Sequence, residues 1–270
     1  LGLAVRKMEK RDSALRAREN DGVTTAAGAV LDNPVWHALT GPQSGLGTVA
    51  TRAARFDADV ASFGAFFASP SAGDWREMTR LTSRVNRVVI VGGLVGDLPP
   101  GWASTWNIGT AQMVLENAAD LDGSHEESGG TEEVVPLGPS DIDEMLELVD
   151  LARPGPFLRR TVEFGGYVGV RRGEELVAMV GERMRPPGYA EISAVATHPD
   201  HRGQGLGTRL VRAVSSAIVE RGEQPFLHVA HENENAMRLY ASLGFVTRRD
   251  IEFTVVEGPS AGDEESAQPE

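Results

Sequence analysis

The stretch AEISAVATHPDHRGQGLGTRLVR, Ala190 to Arg212, decides how this chain is read. Its first part alternates: Ile192, Ala194 and Ala196 fall on one face of an extended strand, and Glu191, Ser193, Val195 and Thr197 on the other. Pro199 has no N–H to give to a ladder, so the strand ends near His198. From Leu206 the spacing Leu206, Leu210, Val214, Ile218 is helical. Between strand and helix, Gly203, Gly205 and Gly207 leave backbone N–H groups uncovered, and the helix start adds its partial positive charge. Together they form a cradle for phosphate.

A strand that runs into such a cradle suits a ligand with a peptide-like arm and a pyrophosphate, and coenzyme A has both. Arg202-x-x-Gly205-x-Gly207 after a strand and His-Pro resembles the acyl-CoA signature of the GNAT N-acetyltransferase superfamily. A second block, Asn233-Glu234-Asn235-Ala236-Met237-Arg238-Leu239-Tyr240 through Gly244-Phe245, resembles that family's other recurrent motif. The blocks stand in the family's order, with a helix and the strand Phe226 to Ala230 between them. The resemblance covers roughly residues 135 to 256.

It implies a mixed α/β, α+β-like fold: the GNAT acyl-CoA N-acyltransferase fold in the C-terminal domain, beside a smaller α/β N-terminal domain. It also implies acetyl-CoA as co-substrate, with main-chain amides of Arg202, Gly203, Gln204, Gly205, Leu206, Gly207 and Thr208 facing the pyrophosphate. The Arg202 side chain either adds charge or braces the loop. Backbone N–H groups of Val195 and Ala196, on a strand the family opens with a bulge, are the expected oxyanion donors, and Thr197 lies beside them. Asn233 matches the family asparagine near the pantetheine arm and is also an ordinary N-cap.

Acyl transfer to an amine needs a base and a proton for the departing thiolate. Glu191, eleven residues before Arg202, matches the family's glutamate base; Glu182 on the preceding strand is the reserve, and a solvent-facing Glu191 is the competing reading. A carboxylate with a pKa of about 4 needs burial or a relay water to take a proton from an ammonium group. Tyr240 sits where the family places its thiolate-protonating tyrosine, although Ala236, Leu239, Tyr240 and Leu243 also share one packed helix face.

Composition narrows the classes. A net charge of −13 argues against a nucleic-acid partner, which requires a basic face. Cysteine is absent, which removes disulfides, thiolate metal sites and an acyl-cysteine intermediate, so transfer is expected to be direct within a ternary complex. The pairs His198/His201 and His228/His231 are explained by cradle and strand ends, and no metal is expected. The longest apolar run, Val88 to Val95, is too short to span a bilayer, and a cytoplasmic enzyme with no membrane partner is expected. The acceptor is a small-molecule or peptide amine; oligomeric state is left open.

Along the chain, 1–28 reads as a charged tail, 29–119 as the N-terminal α/β domain, 120–134 as an acidic linker, 135–257 as the acetyltransferase domain and 258–270 as an acidic tail. In the N-terminal domain, Asn33 caps a helix that begins at Pro34, Asp74 caps another, and Arg87 to Gly92 and Thr105 to Glu116 read as strands; Arg52 to Phe67 is ambiguous. This alternation resembles a degenerate GNAT half, as in tandem members of the family. Two rivals remain. A catalytically silent acyl-CoA sensor conflicts with the presence of Glu191 and Tyr240. A dinucleotide-binding oxidoreductase would need a glycine where Thr208 stands.

Overall fold

The computed structural model describes residues 29–92, 97–122 and 133–259. The expected N-terminal tail and most of the expected linker and C-terminal tail lie outside the described residues. Asn33 caps helix α1 (Pro34–Leu39) by accepting from the Trp36 N–H, with Pro34 at the first helical position. The ambiguous segment forms two strands, β2 (Ala53–Phe56) and β3 (Phe63–Phe66), after a short β1 (Gly47–Val49). Helix α2 (Ala72–Thr82) is capped by Ser71 rather than Asp74. Asp74 closes the capping box from the third helical position, its carboxylate accepting from the Ser71 N–H at 2.8 Å.

The remaining elements are β4 (Arg87–Val91), β5 (Ala103–Leu115), β6 (Val134–Pro136), α3 (Ile142–Ala152), β7 (Val168–Arg172) and β8 (Glu175–Glu182). They are followed by β9 (Tyr189–Thr197), α4 (Leu206–Glu220), β10 (Gln224–Ala230), α5 (Glu234–Ser242) and β11 (Phe245–Glu257). Among the described residues, all eleven strands join one sheet in the order β1-β2-β3-β4-β11-β5-β10-β9-β8-β7-β6.

That order repeats itself about its centre. β1/β2 and β2/β3 are antiparallel and β3/β4 parallel, with α2 as the crossover. β7/β8 and β8/β9 are antiparallel and β9/β10 parallel, with α4 as the crossover. The last strand of each unit then crosses over: β5 pairs with β10, β11 pairs with β4, and β5 and β11 pair with each other. The N-terminal strands are therefore interleaved with the C-terminal ones.

Side chains alternate across this sheet. Ala190, Ile192, Leu227 and Val229 pack under α4 and α5 with Leu206, Leu210, Val214 and Tyr240. On the opposite face, Tyr189, Phe226 and Phe253 meet Leu31, Trp36, Phe63 and Phe164 from the α1 side. Among the described residues no helix is long and apolar enough to cross a membrane.

The interleaving has a measurable consequence. A fragment of residues 133–270 loses β5, so β10 and β11 each lose the partner that lies between them. It is expected to show no cooperative thermal transition by circular dichroism, and to regain one when co-expressed with residues 1–122. Cooperative unfolding of the isolated fragment would show that β5 is dispensable.

Candidate active site

The site begins where two parallel strands stop pairing. β9 and β10 share the pairs Gln224–Tyr189, Pro225–Ala190 and Phe226–Glu191, and no pair follows. Just beyond, β9 bulges: its register against β8 passes from Gly181–Ser193 to Met179–Ala196, so three steps on β9 match two on β8. Ala194 takes the extra turn at φ +53°, a left-handed conformation that costs a non-glycine residue about 1–2 kcal/mol. The bulge also corrects the simple alternation. Ile192 faces α4, whereas Ala194 and Ala196 pack with the α3-side cluster of Met145, Leu148 and Met179.

β9 ends at Thr197 and leads into the glycine loop. Gly203 (φ +73°) and Gly205 (φ +77°) need the conformations that glycine adopts without strain, and a Cβ on Gly203 would meet only open space. Among the described residues, the main-chain N–H groups of residues 203–208 donate to no protein acceptor, and they gather at the start of the 15-residue α4. Arg202 Nε donates to the Thr197 carbonyl at 3.4 Å and so braces the loop. The Gln204 side chain accepts from Arg172 Nη2 at 2.6 Å. A Cβ on Gly207 would lie 3.8 Å from Thr197 Oγ1 and 4.0 Å from Leu239, so strand end, helix start and the Tyr240 helix converge.

Glu191 is fully buried on the face away from α4. Its Oε2 accepts from Arg183 Nε at 2.8 Å and from the Met184 N–H at 3.3 Å. Its Oε1 accepts from Arg183 Nη2 at 2.5 Å and faces His228 Nδ1 at 2.7 Å. Burial alone would raise its pKa, but the Arg183 charge and hydrogen bonds, helped by His228, hold it down at about 2. The solvent-facing reading is thereby excluded. The expectation of a carboxylate free to take a proton also meets one whose lone pairs are already engaged. Glu182, the reserve, points the other way: it binds Arg221 at 2.8 Å beyond the C-terminal end of α4, about 22 Å along that helix from the cradle.

Asn233 caps α5 by accepting from the Ala236 N–H at 3.1 Å. Tyr240 is buried on the α4 side against Phe245, and burial pushes its pKa up to about 12, so the phenol keeps its proton. Sequence reasoning missed Arg183 and Gln112, and it explained His228 by a strand end, whereas the residue lies inside β10 and faces Glu191. The available signal was a polar residue inside an otherwise apolar strand, at His228 in PFLHVA and Gln112 in TAQMVL. Their partners are distant in sequence, so no local motif connects them.

Residues 167–254 match the family model described as FR47-like protein. A solved structure described as a GNAT-family acetyltransferase from Novosphingobium aromaticivorans is 35% identical, with a TM-score of 0.74 over 85% of this chain and 99% of that one. The N-alpha-acetyltransferase RimI of Mycobacterium tuberculosis is 37% identical over 82 residues, 29% of this chain and 51% of that protein. The mycothiol acetyltransferase of Corynebacterium aurimucosum is 37% identical over 60 residues, 22% of this chain and 20% of that protein. The chain thus spans at most about half the length of these two curated relatives.

Because the Glu191 pKa is depressed from its ordinary 4.5 to about 2, its ion pair contributes full stability above about pH 4.5. That contribution is lost as pH falls through 4.5 toward 2. Glu191→Gln leaves Arg183 buried without its counter-charge, and is expected to cost about 3–5 kcal/mol at pH 7, with a smaller deficit at pH 3. Denaturant melts at both pH values measure this. Wild-type stability at pH 7 would refute the pairing.

Proposed function

The chain belongs to the GNAT N-acetyltransferase family, and we propose that it moves an acetyl group from acetyl-CoA to a primary amine within a ternary complex. The observation that carries this reading is the junction of the β9/β10 parting with an open row of main-chain donors at the start of α4. The pyrophosphate would be held by amides of residues 203–208, since the Arg202 N–H, expected among them, donates instead to the Pro199 carbonyl at 3.3 Å, and the pantetheine arm by Val195, Ala196, Thr197 and Asn233. Amides at the Ala194 bulge would receive the negative charge that develops on the thioester oxygen as the amine attacks. Tyr240 would give its proton to the sulfur as the C–S bond breaks. Small-molecule and peptide amines both fit this chemistry, and the same reading assigns the reaction to the cytoplasm.

Residues 29–119 are, in this reading, a degenerate GNAT-like unit; the repeated strand pairing supports it. The start of α2, which corresponds to the cradle of α4, is closed by the chain's own anion. Asp74 lies there on Ser71, with Arg52 Nε 3.2 Å away.

Two measurements test the proposal. Gly205→Val puts a β-branched side chain at φ +77° in the cradle, and calorimetry is expected to show CoA affinity falling at least tenfold. Arg202→Ala, which removes only a brace, should lose less. Unchanged CoA affinity in Gly205→Val would overturn the cradle.

Tyr240→Phe retains the ring packed on Phe245 and removes a hydroxyl that, among the described residues, makes no hydrogen bond. Its Tm is expected to move little while kcat falls about 10²-fold or more, with CoA binding intact. Full turnover would remove Tyr240 from the chemistry.

A further inference from the structure

Glu191 does not stand alone at the point where β9 and β10 part. Its Oε1 faces His228 Nδ1, and His228, whose side chain is buried, lies on β10 two residues beyond Phe226, just past the last β9/β10 pair. The other ring nitrogen, Nε2, faces the Gln112 side-chain nitrogen at 3.0 Å. The orientation of that amide is fixed from two sides. Its nitrogen donates to the Leu31 carbonyl at 2.9 Å, and its oxygen accepts from Arg248 Nη1 at 2.7 Å. Gln112 therefore presents N–H to the ring, and His228 Nε2 must accept. The carboxylate at Nδ1 requires a donor there. The two partners together select one tautomer, Nδ1–H with the lone pair on Nε2. Phe226 and Phe253 hold the ring edge-on, with centroids 5.7 and 5.0 Å away. The charged groups facing this cluster are Arg183 on Glu191, and Arg248, which is itself paired with Asp32 at 2.6 Å.

We infer that His228, rather than Glu191, is the general base of the acyl transfer, with Glu191 as the positioning anion that fixes its tautomer and Gln112 holding the base nitrogen at rest. The inference rests on the acetyltransferase reading above. The incoming ammonium group, or a water in line with it, replaces the Gln112 N–H at Nε2 and gives up one proton there. The freed amine lone pair forms the N–C bond to the thioester carbonyl. The C–S bond then breaks as the thiolate takes the Tyr240 proton, and the nitrogen gives up its second proton, which passes through water to the tyrosinate. One proton stays on the amide, and the proton on His228 leaves to solvent. Each group is thereby restored, and no oxidant or metal is consumed. The pairing also gives the N-terminal unit a part in the chemistry, because Gln112 lies on β5.

His228→Asn tests this, because the asparagine amide nitrogen reproduces the Nδ1 donor toward Glu191 and leaves no basic nitrogen. Wild-type enzyme is assayed first with acetyl-CoA and a panel of amines. Transfer to none of them, or failure to bind acetyl-CoA, would refute the acetyltransferase reading and, with it, the role of His228. Given an active wild type, His228→Asn is expected to keep its acetyl-CoA Kd within a few-fold and lose about 10²–10⁴ in kcat, a loss that shrinks at high pH as free amine becomes abundant. A folded variant with wild-type kcat and pH profile would overturn the assignment. So would a folded variant with a pH-independent loss. A measurement on unmodified protein covers the case in which the variant does not fold. In ¹⁵N-histidine NMR, His228 is expected to show the Nδ1–H tautomer. An Nε2–H tautomer would overturn the assignment.

Discussion

Inside a sheet, every backbone donor and acceptor wants a partner, and β9 and β10 cease to supply each other's after Phe226–Glu191. The rest of the molecule is arranged so that this opening persists. On one side, β8 follows β9 through the bulge at Ala194 and keeps it in place. On the other, β10 is held by β5 along five residue pairs, from Phe226–Val114 to Ala230–Thr110. α4 and α5 cover the cleft from one face, and their starts bring the glycine loop and Asn233 to its open end.

The closed end of the cleft is polar where an apolar plug would have been cheaper. Arg183, Glu191, His228 and Gln112 form a connected, buried set that satisfies each member, which is the condition under which such a set is tolerated. It also joins the two units. Gln43, before β1, donates to the Arg183 carbonyl at 2.6 Å and accepts from the Arg185 N–H at 2.9 Å. Gln112 reaches Leu31 and Arg248. The N-terminal unit therefore helps to hold the β8–β9 connection as well as supplying a central strand.

The two crossover helices, α2 and α4, have opposite electrostatics at their starts. At α2 the backbone donors meet Asp74 in a capping box, and the positive end of the helix is neutralised from within. At α4 the N-cap is Gly205, with no side chain to accept those donors, and no acidic residue stands in the first turn. One start is filled by its own sequence, and the other stays available to an external anion.

Much of this was legible in the residues. The alternation after Ala190, Pro199, the glycine spacing and the period from Leu206 specify strand, loop and helix through sterics that act within a few residues. Asn33-Pro34 specified α1 in the same way. Sequence also marked Glu191 and Tyr240, but it could not give their surroundings. Whether a carboxylate is free or engaged depends on groups that fold back from elsewhere, and Arg183, His228 and Gln112 come from three different segments. The strand order escaped for the same reason. β5 and β11 lie about 130 residues apart in sequence, and their adjacency comes from long-range hydrogen bonding that local patterns do not encode. Sequence determined the strand–loop–helix at Ala190 to Arg212 and most other elements, because those depend on local backbone geometry; the strands within Arg52 to Phe67 were not legible in it. Tertiary structure decided the interleaved sheet, the bulge-reversed face of β9 and the state of Glu191, because each depends on partners brought from a distance.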